Sequence, residues 1–244
     1  MQDWFATWFN SPYYHTLYKN RNLQEAEAFV DALVSYLNLA HGSRALDLAC
    51  GKGRHSLYLR QKGFEVIGID LSEESIAEAK LNEREGLEFF EHDMRSLYWH
   101  QYFDLVVNLF TSFGYFHNKE DDQKTISAVA DSLKDGGLFV IDFMNATKVK
   151  ANLVTYEEKT IDTIKFEITR VIEDGVIIKR IHLIDDELEL DFEEQVDALE
   201  LSDFEGYLSI AGLELVRTFG DYNLNAFDAE TSDRLILVAK KIEA

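Results

Sequence analysis

Asp47-Leu48-Ala49-Cys50-Gly51-Lys52-Gly53 and a second carboxylate, Asp70, placed 19 residues after Gly51, carry the most informative chemistry in this sequence. Glycines between a strand and a helix let the backbone approach a ligand closely and leave helix N–H groups aimed at it. A carboxylate at the end of the next strand is placed to accept hydrogen bonds from ribose hydroxyls. Two ligand classes use this geometry. A dinucleotide, as in an NAD-dependent oxidoreductase, would rest its pyrophosphate on the helix N-terminus. Here Ser56 stands where the third glycine of that fingerprint belongs, and Asp47 would repel a pyrophosphate. A ligand with a cationic amino group, a ribose and no phosphate would instead gain from Asp47. S-adenosylmethionine is such a ligand.

These residues need elements to hold them. Ser11 before Pro12 reads as a helix N-cap with proline at the first helical position, and Asn22 with Glu25 as a capping box for a second helix. Ala26, Phe29, Val30, Leu33, Val34 and Leu37 recur at helical spacing, so that helix has one buried face. From residue 44 strands and helices alternate: strands at 44–49, 64–69, 87–91, 103–110 and 138–143, helices at 54–61, 72–83 and 119–134, the last closed by Gly136-Gly137. Near-continuous apolar strands between amphipathic helices predict a parallel sheet covered on both faces. After Asn145 the period changes to that of half-exposed strands. Asp174-Gly175 predicts a type I′ hairpin turn that pairs Arg170 with Lys179 and Ile168 with Ile181, with a further strand near 188–199. Ser202 with Glu205 predicts another capped helix with Phe204, Tyr207, Leu208 and Ala211 buried, and 213–219 and 234–240 are the last strands. The expected division is a helical cap at 1–41, a cofactor-binding core at 42–145 and 200–244, and an antiparallel lid at 146–199. No internal repeat or low-complexity linker interrupts it.

Composition narrows the partners. The 244 residues carry 24 Lys plus Arg against 45 Asp plus Glu, a net charge of −21. A polyanion such as nucleic acid, or an anionic membrane surface, would be repelled. Residues 154–206 alone hold 17 acids and 5 bases. On a solvated outer face these protect strand edges; lining an entrance, they would favour a cationic acceptor such as an amine. One cysteine excludes an internal disulfide and a cysteine zinc cluster, so no metal is expected. No apolar run is long enough to span a bilayer, and Met1-Gln2-Asp3-Trp4 lacks signal-peptide character, which together imply a cytoplasmic protein.

Asp47 to Gly53, Asp70, Glu91-His92-Asp93-Met94 and Leu133-Lys134-Asp135-Gly136-Gly137 resemble the motif series of class I S-adenosylmethionine-dependent methyltransferases over about residues 22–145. The run Gly51 to Leu59 is similar to tellurite-resistance and related small-molecule methyltransferases, and the inserted meander resembles small-molecule N-methyltransferases, including those that act on amino sugars. The resemblance implies an α/β, Rossmann-like seven-stranded sheet with an N-terminal helical cap and an inserted antiparallel β meander. It implies S-adenosylmethionine as cofactor and methyl transfer by in-line displacement to an N- or O-nucleophile of a small molecule. It places Asp47 and the backbone of Ala49 and Gly51 at the methionine end, with Cys50 inside the loop and Gly53 giving close approach. Asp70 would bind the ribose, Leu71 and Met94 would flank the adenine, and Asp93 would accept from its amino group. Asn108 and Leu109 would contact the methionine portion. Tyr14, Tyr18 and Arg21 of the cap would complete the site, an arginine there pairing with the cofactor carboxylate.

The acceptor side is less defined. Thr111 to His117 follows the fourth strand, where open α/β sheets bind ligands, so Phe113 and Tyr115 are candidate substrate walls. His117 and Asp142 are the catalytic candidates, His117 as a general base, and Asp142 and Asn145, ending the fifth strand, are further candidates for contact with the acceptor. Cys50 reads as a small buried residue rather than a nucleophile. Arg54 and His55 fit a surface role as well as a ligand role, and His182, Arg180 and Glu167 read as a solvated lid face. Because no motif defines an acceptor, a non-catalytic cofactor-binding module stays open beside the enzyme.

Overall fold

The computed structural model describes residues 8–19 and 23–242. The elements are α1 (Pro12–Leu17), α2 (Leu23–Leu37), β1 (Arg44–Leu48), α3 (Arg54–Gln61), β2 (Glu65–Asp70), α4 (Glu73–Lys80), β3 (Leu87–Glu91), β4 (Phe103–Asn108), α5 (Lys119–Ser132), β5 (Leu133–Met144), α6 (Ala146–Ala151), β6 (Tyr156–Ile161), β7 (Ile164–Glu173), β8 (Val176–Asp185), β9 (Leu188–Asp197), α7 (Leu201–Ile210), β10 (Leu213–Phe219) and β11 (Arg234–Lys241). Seven strands form one sheet in the order β10-β11-β5-β4-β1-β2-β3. Strands β1 to β5 run parallel, and β11 and β10 close the edge antiparallel. The chain order reverses beside β1, which pairs with both β2 and β4. That reversal opens a crevice at the carboxyl ends of the strands.

Burial on both faces explains the near-continuous apolar strands. On one face Leu46, Leu48 and Ile141 pack with Ile126 and Val129 of α5 and Phe204 and Leu208 of α7. On the other, Ala45, Val66, Leu105 and Val107 pack with Phe29, Val30 and Leu33 of α2, Leu59 of α3 and Ile76 of α4. Ser11 caps α1 by accepting from the Tyr13 N–H, with Pro12 in the first turn. Asn22 lies outside the described residues, as does the side chain of Glu25, so the capping box proposed for α2 does too.

Several boundaries differ from the sequence expectation, among them the helix expected at 72–83, which ends at Lys80, and three have a clear physical reason. Helix α5 stops at Ser132, and β5 starts at Leu133 rather than at 138, because Leu133 is drawn into the core against Phe103 while Gly136 turns at φ 75°. The cap of α7 is Glu200 rather than Ser202: the Glu200 N–H donates to Asp203 Oδ2 at 2.9 Å, since a carboxylate at the third helical position reaches back to the cap. Strand β4 ends at Asn108, two residues early, for a reason taken up with the site.

The inserted residues form a second, four-stranded antiparallel sheet, β6-β7-β8-β9. Asp174 and Gly175 sit at φ 49° and 82°, as a type I′ turn requires, and Arg170 pairs with Lys179 and Ile168 with Ile181. One face carries Phe166, Ile168, Ile181 and Leu183 and is covered by Trp8 and Leu17 of the N-terminal segment. The opposite face carries the ion pairs Lys165–Glu167, Arg180–Glu193 and His182–Asp191. No described helix is long and apolar enough to cross a membrane.

Candidate functional site

The turn after β1 is built around one buried carboxylate. Asp47 is 1% exposed, and Ser56 Oγ donates to its Oδ2 at 2.5 Å. The missing third glycine is thus a hydroxyl that holds Asp47. Burial pushes the Asp47 carboxyl up to about 6, against the opposing effect of the Ser56 bond. Asp70 stands across the turn. Its Oδ2 accepts from the Gly51 N–H and its Oδ1 from the Ser72 N–H, both at 2.8 Å. Each oxygen keeps a further lone pair for a hydroxyl.

Backbone geometry brings the loop close to whatever lies above it. Ala49, Gly51 and Gly53 are left-handed, at φ 60°, 54° and 79°. Behind Gly53, a Cβ would lie 2.5 Å from the ring of buried Phe89. Gly53→Ala is therefore expected to destabilise the chain by about 2–4 kcal/mol, from left-handed strain and overpacking. Calorimetric melting should fall by roughly 5–12 °C; an unchanged melting temperature would show that Phe89 yields freely. Cys50 is buried beside Gly68, and burial raises its thiol well above the ordinary range, consistent with packing rather than nucleophilic chemistry.

Beyond β2 and β3 the structure places Leu71, Asp93 and Met94 along one side of the crevice. Leu71 is 45% exposed, although apolar, and Met94 packs on the core. The side-chain bonds from Arg95, the shortest at 2.6 Å, hold the Asp93 carboxyl below its usual range. On the other side of β1, Asn108 is fully buried; its Nδ2 donates to the Leu48 carbonyl at 3.0 Å, and its Oδ1 has no partner among the described residues. The pairing of Asp47 with Val107 puts Asn108 on the other face of the sheet from Asp47. The next residue, Leu109, is buried.

Three acceptor-side candidates are relocated by the structure. Phe113 is 0% exposed and packs between Phe204 and Tyr207, so its ring belongs to the core rather than to a substrate wall. Asn145 caps α6, and its Nδ2 donates to the Ala229 and Ser232 carbonyls at 2.9 and 2.8 Å; it clasps the loop before β11. Asp142 is also fully buried and engaged: it accepts from Arg234 Nε at 2.7 Å and from the Phe110 N–H at 2.8 Å, which leaves it no part as a solvent-facing base. His117 Nδ1 lies 2.7 Å from Asp197 Oδ1 at the end of β9. Tyr115 donates to the Thr111 carbonyl at 2.6 Å, and its ring meets Phe9 edge-on at 5.6 Å.

The N-terminal segment spans the crevice. Trp8 Nε1 and Tyr18 Oη both donate to Glu194 of the second sheet at 2.6 Å, and Lys179 bonds the Tyr18 hydroxyl. Tyr13 donates to Asp185 at 3.0 Å. At the other side Ser72 Oγ donates to Asn10 Oδ1 at 2.5 Å, next to Asp70. Tyr14 stacks edge-on between Trp8, Phe9 and Tyr18. Tyr14 and Tyr18 thus serve the seam with the second sheet, and Arg21 lies outside the described residues. Sequence reasoning missed Asn10 and Arg234. The one available signal was Arg234, a charge opening an otherwise apolar strand.

An open hollow of about 630 Å³ lies at the opposite, amino ends of the strands, between Arg44, Glu65, Arg84 and Tyr102. Arg44 there is already paired with Glu65, and open α/β sheets do not bind ligands at that end. Among the described residues no cluster of His, Cys, Asp and Glu could hold a metal ion.

Comparison with known proteins agrees with this geometry. A methyltransferase-domain family model matches residues 45–137, which include Asp47, Asp70, Asp93 and Asn108. YqeM of Bacillus subtilis, assigned as a methyltransferase, is 39% identical over 115 residues, covering 46% of this chain and 47% of its own. The chain thus aligns with about half the length of that relative. An assigned methyltransferase of Geobacillus sp. strain WCH70 is 27% identical over 97% of this chain and 98% of its own. In fold, an S-adenosylmethionine-dependent methyltransferase from Clostridium acetobutylicum superposes with a TM-score of 0.80 at 24% identity, covering 95% and 96% of the two chains. CalS10, an amino pentose methyltransferase from Micromonospora echinaspora solved with S-adenosylmethionine bound, gives 0.73 at 18% identity over 95% and 97%. The crevice chemistry, the matched segment and the shared fold agree: residues 45–137 match a methyltransferase-domain family, and the chain has the fold of S-adenosylmethionine-dependent methyltransferases.

Proposed function

We propose that this chain transfers the methyl group of S-adenosylmethionine to a nucleophile on a small molecule, with amines as the acceptor class. The observation that carries the size class is the N-terminal segment, tied to the second sheet through Trp8, Tyr13 and Tyr18 and to the cofactor loops through Asn10 and Phe9. A crevice bridged on both sides suits a small acceptor better than a polymer. The amine class is supported by CalS10, named as an amino pentose methyltransferase. The acidic second sheet does not supply that support. Its apolar, covered face carries Glu157 and Glu194, each already paired with a base, while Glu167, Asp191 and Glu193 lie on the opposite, solvated face.

When bound, S-adenosylmethionine supplies a methyl group activated by its sulfonium. The residues present fit it: Asp47 would hold the amino group, Asn108 at the end of β4 would line the methionine portion, and Asp70 would hold the ribose hydroxyls. Asp93 would accept from the adenine amino group while Arg95 keeps it ionised, with Leu71 and Met94 along the ring. Holding two reactants in line and excluding water can lower a barrier by about 7–11 kcal/mol. A general base is needed only for an acceptor that arrives protonated.

Release of S-adenosylhomocysteine, measured across amines, phenols, carboxylates and thiols, is the test. Turnover with an amine is expected. Tight cofactor binding with silence across the whole panel would favour a non-catalytic binding module. Quenching by NADH, with no affinity for S-adenosylhomocysteine, would restore the oxidoreductase reading.

A further inference from the structure

Directly after Asn108 the backbone turns through two consecutive left-handed residues that are not glycine, Phe110 and Thr111, both at φ 60°. An aromatic and a β-branched residue adopt that conformation at a cost of about 1–2 kcal/mol each, so something must hold them there. Strand β4 ends two residues early because of this corner. Asp142 Oδ2 accepts from the Phe110 N–H at 2.8 Å, and the Asp142 carbonyl accepts from the Thr111 N–H at 2.9 Å. Arg234 Nε donates to Asp142 Oδ1 at 2.7 Å, and Arg234 Nη2 donates to Thr111 Oγ1 at 2.9 Å. Asp142 is fully buried, and the Arg234 side chain is 18% exposed. One ion pair therefore fixes both the backbone and the side chain of the corner.

The location of the corner gives the pair a task. The sheet order β4-β1-β2 puts Asp70 on one side of the β1 turn and the corner on the other. A ligand whose ribose lies at Asp70 and which crosses the turn places its opposite end at the corner. The Phe110 ring reaches back to the first turn of α3, stacked on His55 at 4.7 Å and 9°. The corner and the β1 turn are thus parts of one wall, with the open Asn108 Oδ1 at the same strand end.

We propose that Asp142, Arg234 and Thr111 are positioning residues for the amino-acid end of the cofactor. They touch no ligand; they lock the Phe110–Thr111 corner so that the strand end carrying Asn108 stays aligned. The inference rests on the methyltransferase reading above and adds three residues to it. No bond is made or broken by them.

The test compares two ligands by calorimetry. S-adenosylhomocysteine carries the amino-acid end; 5′-methylthioadenosine has the same adenine and ribose without it. Thr111→Val removes the oxygen that Arg234 bonds while keeping the shape of the side chain. It is expected to weaken S-adenosylhomocysteine about tenfold, the worth of one charged hydrogen bond, and to leave 5′-methylthioadenosine within twofold. Thr111→Ser should restore the first affinity. Arg234→Lys, which can serve Asp142 or Thr111 but not both, should show the same split. Equal losses for both ligands, or no loss for either, would overturn the proposal, as would failure of Thr111→Ser to rescue. Wild-type protein that binds neither ligand would instead overturn the cofactor assignment, so the two failures are distinguishable.

Discussion

Replacing Asp47 by Asn is expected to raise the melting temperature of the ligand-free chain and to weaken S-adenosylhomocysteine by about 10- to 100-fold. Both effects follow from one buried charge. The Asp47 carboxyl is pushed up to about 6 by burial, from 3.8. The folded chain therefore holds a proton there that the unfolded chain has released, and stability from this group falls as pH rises from about 4 through about 6. Above that window the folded state carries an ionised carboxylate out of water. A shift of this size corresponds to roughly 3 kcal/mol, which asparagine recovers in part, since its carbonyl still accepts from Ser56. The melting temperature should climb by about 3–8 °C at pH 7.5 and by less at pH 4. The affinity loss is that of a charged hydrogen bond to the cofactor's amino group, about 1.5–3 kcal/mol. Wild-type affinity should also decline as pH falls through about 6, and the variant should lose that dependence. Calorimetry of both proteins from pH 4 to 8 checks all three points; a destabilised variant, or one that binds normally, refutes the assignment.

Asp70→Ala is expected to weaken S-adenosylhomocysteine by at least about 100-fold. Two hydrogen bonds from ribose hydroxyls to a carboxylate, at about 1.5–3 kcal/mol each, set that scale. The substitution also strips the Gly51 and Ser72 N–H groups of their acceptor, so the turn loses definition as well as a ligand contact. Asp70→Asn separates the two effects. It keeps an acceptor for one N–H and should lose less affinity than alanine. Isothermal titration at pH 7.5 reads the series, and an alanine variant with wild-type affinity would remove Asp70 from the ribose site.

The core was legible because its signals are local. Strands with continuous apolar runs, a glycine turn and a hairpin with Asp-Gly at its tip announce themselves over a few residues, and the Arg170–Lys179 pairing followed from the turn alone. What stayed hidden depends on neighbours distant in sequence. Strand β6 reads Tyr-Glu-Glu-Lys-Thr-Ile, an exposed edge with no apolar alternation to detect. Helix α6 is six residues long and owes its start to Asn145, which the sequence offered as an acceptor-site residue. Phe113 looked like a pocket wall because loop aromatics often are; the contact that buries it comes from Phe204, far along the chain. Tyr14 and Tyr18 face a sheet whose existence the first forty residues do not reveal. The Asp142–Arg234 pair joins two strands whose adjacency is a property of the sheet order.

The N-terminal seam has a kinetic consequence. Its ties are mostly polar: an indole N–H, two phenols and an amide on carboxylates and a hydroxyl. Water can replace each of these as the seam parts, so the net loss per tie is only about 0.5–1.5 kcal/mol, or somewhat more on a carboxylate. Trp8 and Leu17, which would leave the apolar face of the second sheet bare, set the larger part of the barrier. On the function proposed above, the packing of these two apolar side chains would govern how readily the seam parts. With chemistry that needs little beyond alignment, departure of the spent cofactor through this seam, rather than methyl transfer, is expected to set the turnover rate.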